Sequence, residues 1–212
     1  MWSETLQLDL AGDADERAVE AQLREALQAG AGLIHLGFGR NLPGSWGAAD
    51  CTLDLLFADA PPAHLDDLLN RLESVASIRR LRYQRIGGGV REPGLAGGIW
   101  RTLLLRVRPQ ASAEQIRALE QDLLRMPAYM PGIRNWQLSR VLAPGPWTHV
   151  WQQEFARVDD LLGEYLAHPY HWAWVDRWFD PDCPDWTVDA IAHAFCPFAS
   201  SLLGRAAPHS HH

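Results

Sequence analysis

Over residues 5–10 apolar and polar side chains alternate. Leu6, Leu8 and Leu10 fall on one side, and Thr5, Gln7 and Asp9 on the other. Period-two patterning of this kind predicts a strand with one apolar face. The period then lengthens. Val19, Leu23, Ala26 and Leu27 form a helical stripe that ends near Gln28, opened by Asp13 with Glu16 as a capping pattern and closed by Gly30 and Gly32. Strands follow at residues 33–40 and 51–57. A second helix carries Leu65, Leu68, Leu69 and Leu72 after Pro61 and Pro62, and a fourth strand spans residues 78–86. The order βαββαβ is the ferredoxin-like arrangement.

A glycine-rich run, GGGVREPGLAGG over residues 87–98, predicts a linker. It precedes a strand rather than a helix, so it does not read as a phosphate loop. After it the pattern restarts. A strand spans residues 100–107, with Leu103, Leu105 and Val107 on one face. Ser112 with Gln115 caps a helix carrying Ile116, Leu119 and Leu123, which ends around Pro127 and Pro131-Gly132. Strands at 133–141, 148–155 and 188–195 complete the set. The first strand, residues 5–10, overlays residues 102–107, and Gly32 to Arg40 overlay Gly132 to Arg140. A repeat of about a hundred residues indicates duplication of a whole domain, since solenoid periods are shorter.

The predicted fold is therefore α+β: two ferredoxin-like βαββαβ repeats forming one intrachain dimeric α+β barrel. The repeats are assigned to residues 1–87 and 99–197, with a linker at 88–98 and a disordered tail at 198–212. Each sheet has helices on one face only, and pressing the two bare faces together buries both. Leu6, Leu8, Leu10, Leu103 and Leu105 are then expected to face helices. Thr5, Gln7 and Asp9 of one repeat and Thr102, Leu104 and Arg106 of the other are expected to point into the barrel. Asp9 and Arg106 either pair inside it, since an unpaired buried charge is costly, or sit at its mouth in water.

The densest chemistry lies between Tyr165 and Trp186, YLAHPYHWAWVDRWFDPDCPDW. Pro169 disfavours helix for the residue before it and suits the first turn of a new one, so a helix should break near His168. Such a reversal can bring Tyr165 and His171 to one cleft. His171 titrates near neutrality and is a candidate general base. Tyr165 is a candidate proton donor or carbonyl partner, and His168 a structural residue of the break. His149, Trp151 and Gln153 share one strand face, expected to be that of the barrel. Eight of the ten tryptophans fall at or after Trp100. Trp151 and Trp174 are accordingly candidate platforms for a flat, apolar ligand. His149, His168, His171 and His193 show no strong metal-ligand spacing, so no metal is assigned, and no cofactor is expected.

The net charge of −7 argues against nucleic acid or an anionic membrane as partner. Three scattered cysteines, Cys51, Cys183 and Cys196, fit a reducing compartment. No secretory signal or long apolar span is apparent, which predicts a cytoplasmic location. His35 and His64 read as ordinary residues, and His209, His211 and His212 as part of the tail.

The second half resembles the stress-responsive dimeric α/β-barrel (Dabb) family. The resemblance rests on the strand at residues 100–108, the Pro131-Gly132-Ile133 turn into Trp136, Thr148-His149-Val150 leading to Phe155, and above all Tyr165-Leu-Ala-His168-Pro169-Tyr-His171. The first half looks like a diverged copy, with only Pro61-Pro62-Ala63-His64-Leu65 where the signature should stand. The resemblance implies a homodimeric barrel, which the duplication would supply within one chain. It also implies the site of a plant cyclase that performs an intramolecular aldol condensation, whose tyrosine and histidine match Tyr165 and His171. A further pocket histidine of that enzyme matches His149, and one on its first strand falls on Thr102.

Three functions stay open at this point. One is a pocket for an aromatic or polyketide-like carbonyl compound, with His171, Tyr165 and His149 catalytic and Thr102, Trp151, Trp174 and Arg106 binding. Another is a non-catalytic stress or assembly protein with a filled barrel. The third is a cofactor-free oxygenase of the related dimeric-barrel type.

Overall fold

The structure is a computed structural model that describes all residues except 13, 29–31, 63–64 and 207–212. Asp13, expected as a helix cap, the closing Gly30, His64 and the C-terminal histidines lie outside the described residues. Two βαββαβ repeats are present. The first comprises β1 (Trp2–Leu10), α1 (Glu16–Gln28), β2 (Leu33–Arg40), β3 (Cys51–Phe57), α2 (Leu65–Asn70) and β4 (Val75–Val90). The second comprises β5 (Ile99–Val107), α3 (Ala113–Tyr129), β6 (Ile133–Val141), β7 (His149–Phe155), a broken helix between Asp160 and Trp178, and β8 (Val188–Pro197). A four-residue helix, α4 (Leu203–Ala206), follows. No helix is long and apolar enough to cross a membrane.

The expected cap of α3 is formed: Ser112 accepts from the Gln115 amide, and the Gln115 side chain accepts from the Ser112 amide. Pro127 does not end this helix, which continues to Tyr129 with Met130 as its cap.

The eight strands form one antiparallel sheet in the order β2-β3-β1-β4-β6-β7-β5-β8. Its two halves are joined through β4. The first part of this long strand pairs with β1, and its last part pairs with β6, from Tyr83 opposite Val141 to Val90 opposite Asn135. Gly87, Gly88 and Gly89, expected in the linker, are thus ladder residues. Each has a close neighbour where a side chain would go: Leu124 of α3 at Gly87, the Trp136 backbone at Gly88 and the Trp136 ring at Gly89. A Cβ at Gly88 would lie 2.4 Å from the Trp136 carbonyl oxygen.

The two ends of the sheet are brought together more sparingly. The Leu42 amide donates to the Phe195 carbonyl, and Trp46 exchanges both backbone bonds with His193.

Two apolar cores lie under the helices, and the barrel lies between the sheets. Leu6, Leu8, Leu53 and Leu55 pack with Val19, Leu23 and Leu27 of α1. Leu103, Leu105, Leu138 and Trp151 pack with Leu119, Leu123 and Met126 of α3. Inside the barrel, Tyr83, Leu104, Val150 and Ala192 make an apolar patch. Beside it is a buried polar cluster. Thr5 donates to Asp54, and the Gln152 amide donates to Thr5 Oγ1 and to the Tyr83 hydroxyl, both at 3.0 Å.

The expected inward placement of Thr5, Gln7, Thr102 and Leu104 holds. Asp9 and Arg106 do not meet. Asp9 accepts from Ser77, while Arg106 binds Asp189 at 2.6 Å, each half-exposed at a barrel mouth where its charge keeps water.

Burial pushes the Asp54 carboxyl up to about 7, with hydrogen bonds from Thr5 and others only partly offsetting it. A raised carboxyl favours the folded state while protonated, so that stability is full below about pH 4 and is lost as pH rises toward 7. Asp54→Asn should flatten this part of the stability–pH curve and stabilise the protein above pH 7 by up to about 4 kcal/mol, measured by urea unfolding. Gly88→Ala should cost about 2–4 kcal/mol, since backbone must move. Gly94→Ala, whose Cβ would meet nothing within 4 Å, should stay within about 0.5 kcal/mol by the same assay.

Candidate functional site

The outer, helix-facing side of the second sheet carries one charged residue in phase with its leucines. Ile99, Arg101, Leu103, Leu105 and Val107 share that side of β5, and Arg101 is only 4% exposed. β7 places Gln153 beside it, β8 places His193, and the broken helix lays Tyr165 and His171 over it. Arg101 Nε donates to His193 Nε2 at 3.0 Å, and Nη1 donates to the Tyr165 hydroxyl at 2.9 Å and to Gln153 Oε1. The guanidinium also lies 4.8 Å from the centre of the Tyr165 ring.

Among the described residues, no carboxylate pairs with this buried cation. Its partners Gln153, Tyr165 and His193 are all neutral acceptors. The matching position in the first repeat shows the contrast. Glu4 stands there, fully buried, and is neutralised by Arg80 at 2.5 Å and Arg82 at 3.2 Å.

The break at His168 is where the sequence predicts it. The His168 ring accepts from the Tyr170 amide at 3.1 Å, a local structural role. On each side of it the chain is wound with the wide i→i+5 spacing, over Asp160–Tyr165 and His171–Val175. That spacing is rare and concentrates at functional sites. Asp122 of α3 anchors the second piece: its carboxylate accepts from Arg177 at 2.8 Å and from the Trp178 indole at 3.0 Å. The Tyr170 hydroxyl donates to its carbonyl.

Tyr165 and His171 do meet, with ring centres 4.9 Å apart and nearly edge-to-face. Burial holds the His171 imidazole below its ordinary pKa, opposed by Asp176 and assisted by Arg101. Its Nδ1 lies 3.3 Å from Asp176 Oδ1 but out of line, and makes no hydrogen bond. Gln153 Nε2 is also buried without a partner. His193 is held neutral, pushed down to about 3 by burial and then by Arg101. With Nε2 accepting from Arg101, its proton belongs on Nδ1. The Tyr165 proton points to the Met126 thioether at 3.9 Å, a weak acceptor.

The other expected residues stand elsewhere. His149, Trp151 and Gln153 share a face, but it is the helix-facing one rather than the barrel face. His149 lies far along β7 from Gln153. It is tied to Glu120 of α3 at 3.0 Å and to Thr148 at 2.9 Å, with burial lowering its pKa. Arg140 binds the same Glu120, which makes His149 a structural link between α3 and the sheet. Trp151 is fully buried in the core beneath α3. Trp174 is 52% exposed, covered on one side by Arg177. Thr102 faces the barrel, and Arg106 its mouth. The β5 residue that reaches Tyr165 is Arg101, one position from Thr102. Among the described residues no group of three His, Cys, Asp or Glu side chains is placed to hold a metal.

Similarity to known proteins covers the fold and the second repeat. Across nearly the whole chain the structure is similar to a candidate monooxygenase of Fusobacterium nucleatum subsp. nucleatum: 9% identity, TM-score 0.63, 94% of this chain and 92% of that one. It is similar to an anthrone oxidase-like protein at 12% identity and TM-score 0.63, over 93% and 91% of the two chains. A candidate monooxygenase of Lactobacillus acidophilus NCFM aligns at 11% identity and TM-score 0.57, over 94% and 95%. None of the curated proteins matches by sequence. The family model for the stress responsive A/B barrel domain matches residues 99–189, the segment that contains Arg101, Gln153, Tyr165 and His171. The second repeat is thus similar to the stress-responsive A/B barrel domain, and the first repeat has the same strand and helix order.

Proposed function

We propose that the second repeat binds a small aromatic or polyketide-like carbonyl compound and performs acid–base chemistry on it of the cyclase or lyase kind. The observation that carries this reading is the buried guanidinium of Arg101, which among the described residues pairs with no carboxylate and donates to Gln153, whose Nε2 is itself buried without a partner; His171 packs on the Tyr165 ring that covers it. A cation left unpaired inside a protein is costly. Negative charge that develops on a substrate oxygen would relieve that cost, so the cluster binds an enolate better than a ketone.

The geometry supports the following roles. Neutral His171 takes a proton from the carbon next to the carbonyl, and the bonding electrons move onto oxygen. Arg101 and the Tyr165 hydroxyl hold that oxygen. Asp176 stabilises the imidazolium so formed. The enolate carbon then attacks a second carbonyl, whose oxygen takes the proton back from His171. In the lyase direction His171 instead takes the proton of the β-hydroxyl, the carbon–carbon bond breaks, its electron pair forms the enolate held by Arg101, and the proton passes to that carbon. His171 also provides the way in: its side chain is 19% exposed, whereas Tyr165 and Gln153 beneath it are buried.

A second reading, oxidation of an aromatic substrate by dioxygen without a cofactor, draws on the likeness to the candidate monooxygenases and the anthrone oxidase-like protein. It begins with the same proton removal.

The test is hydrogen–deuterium exchange at the methyl group of 2,4-dihydroxyacetophenone in D2O, followed by NMR. The protein should accelerate exchange. His171→Ala should lose about 10²–10⁴-fold of the acceleration, the range for a general base. Arg101→Met should lose a comparable amount, and Tyr165→Phe less. Because the His171 pKa is lowered from its ordinary 6.5, the rate should already be level at pH 6.5 and fall only at more acid pH. Exchange no faster than in buffer, or unchanged in His171→Ala, would leave the filled, non-catalytic barrel as the better reading. Uptake of dioxygen in step with substrate loss would favour oxidation.

A further inference from the structure

We propose that the barrel holds a second ligand site, separate from the Arg101 cluster, that takes a small aromatic carboxylate. The site is a cavity of about 240 Å³ between the two sheets. Its walls are Leu81, Leu104, Trp147, Ala192 and Ala194, with Thr102 and Gln7 among them and Arg79 beside them. It lies on the opposite side of β5 from Arg101, so the sheet itself separates the two sites.

Three observations point to its occupant. The first is Thr102, fully buried, whose hydroxyl has no hydrogen-bond partner. A buried hydroxyl left unpaired is unfavourable, and native structures rarely tolerate one. The equivalent residue of the first repeat, Thr5, is also fully buried, yet it is bonded to Asp54, Tyr83 and Gln152. The same residue type at matching positions is thus satisfied by protein on one side of the barrel, and on the other is left unpaired in the layer of residues that lines the cavity. Gln7 does not fill the role, because its side chain turns to Thr52 at 2.9 Å and Asn41 at 3.3 Å.

The second observation is Arg79. It is half-exposed, and the carboxylate near it, Asp9, lies 3.7 Å away without a hydrogen bond. Asp9 is itself engaged by Ser77 at 2.5 Å. The guanidinium therefore keeps its paired donors, the geometry that suits a carboxylate.

The third is size. An apolar cavity of about 150 Å³ accepts benzene, so this one has room for a single substituted ring but not for an extended polyketide chain. The Trp147 indole supplies an aromatic wall. A ring with a carboxylate at the open end and a hydroxyl or carbonyl at the inner end would meet Arg79, Trp147 and Thr102 together.

The experiment is calorimetric titration of the full-length chain with 4-hydroxybenzoate. Binding at one site per chain that persists in Arg101→Met is expected. Thr102→Val, which keeps the shape and removes the hydroxyl, should weaken it about tenfold or more. Arg79→Ala should weaken it similarly, and benzyl alcohol, which lacks the carboxylate, should bind the wild type more weakly. Arg101→Met should leave binding unchanged, because that residue belongs to the other site. Circular dichroism checks that each variant is folded. Should Thr102→Val not fold, Arg79→Ala and the benzyl alcohol comparison still decide. Absence of binding up to millimolar 4-hydroxybenzoate would overturn the proposal. So would binding that is lost in Arg101→Met yet indifferent to Thr102 and Arg79.

Discussion

A four-stranded sheet with helices on one side has a second side that water would otherwise touch. Covering that side is the constraint on which this molecule is built. The first repeat buries Leu6, Leu8, Leu53 and Leu55 under α1, and the second buries Leu103, Leu105 and Trp151 under α3. The residues between them in sequence then have nowhere to go but against the other repeat. β4 continues without interruption from one sheet into the other, so the pairing of the repeats is made of backbone hydrogen bonds as well as side chains. The barrel interior accepts polar residues because they satisfy one another: Thr5, Asp54, Tyr83 and Gln152 form one bonded group.

Much of this was legible in the sequence. The alternation over residues 5–10 and 102–107 sorts Leu6, Leu8, Leu103 and Leu105 from Thr5, Gln7, Thr102 and Leu104, and the sides come out as expected. The Ser112 capping box, the break at His168 and the meeting of Tyr165 with His171 were equally plain, because each rests on local rules about caps, proline and helix reversal. Alternation fails on β7 for a physical reason. All seven residues from His149 to Phe155 are buried, so neither face is marked by exposure, and period two says which residues share a side without saying which side. His149 was placed in the barrel on that account, when its partner Glu120 lies on α3. Gly87–Gly89 misled in another way. Glycine signals both a flexible segment and a close approach of two backbones, and only the pairing with β6 tells them apart.

Arg101 belongs to no motif, and its signal in the sequence is its phase. It is in phase with Leu103 and Leu105, which had already been assigned to the helix side, so a charge was being placed in an apolar stripe. Such a local conflict is expected where function overrides packing. Its neighbour Thr102 attracted attention instead through a match of position, and it faces the other way. The structure turns that one-residue difference into two separate environments on the two sides of a single strand.

The contrast between Glu4 and Arg101 carries a further meaning. In an assembly of two identical chains, every substitution arrives twice, and both copies of a site must tolerate it. Here the two halves share one backbone. Their association is intramolecular, with the effective concentration that a short connection provides. The first repeat can therefore keep a neutralised ion pair at a position where the second keeps a cation held only by neutral partners. Joining the halves releases the molecule from symmetry, so that one position can be acidic in one half and basic in the other.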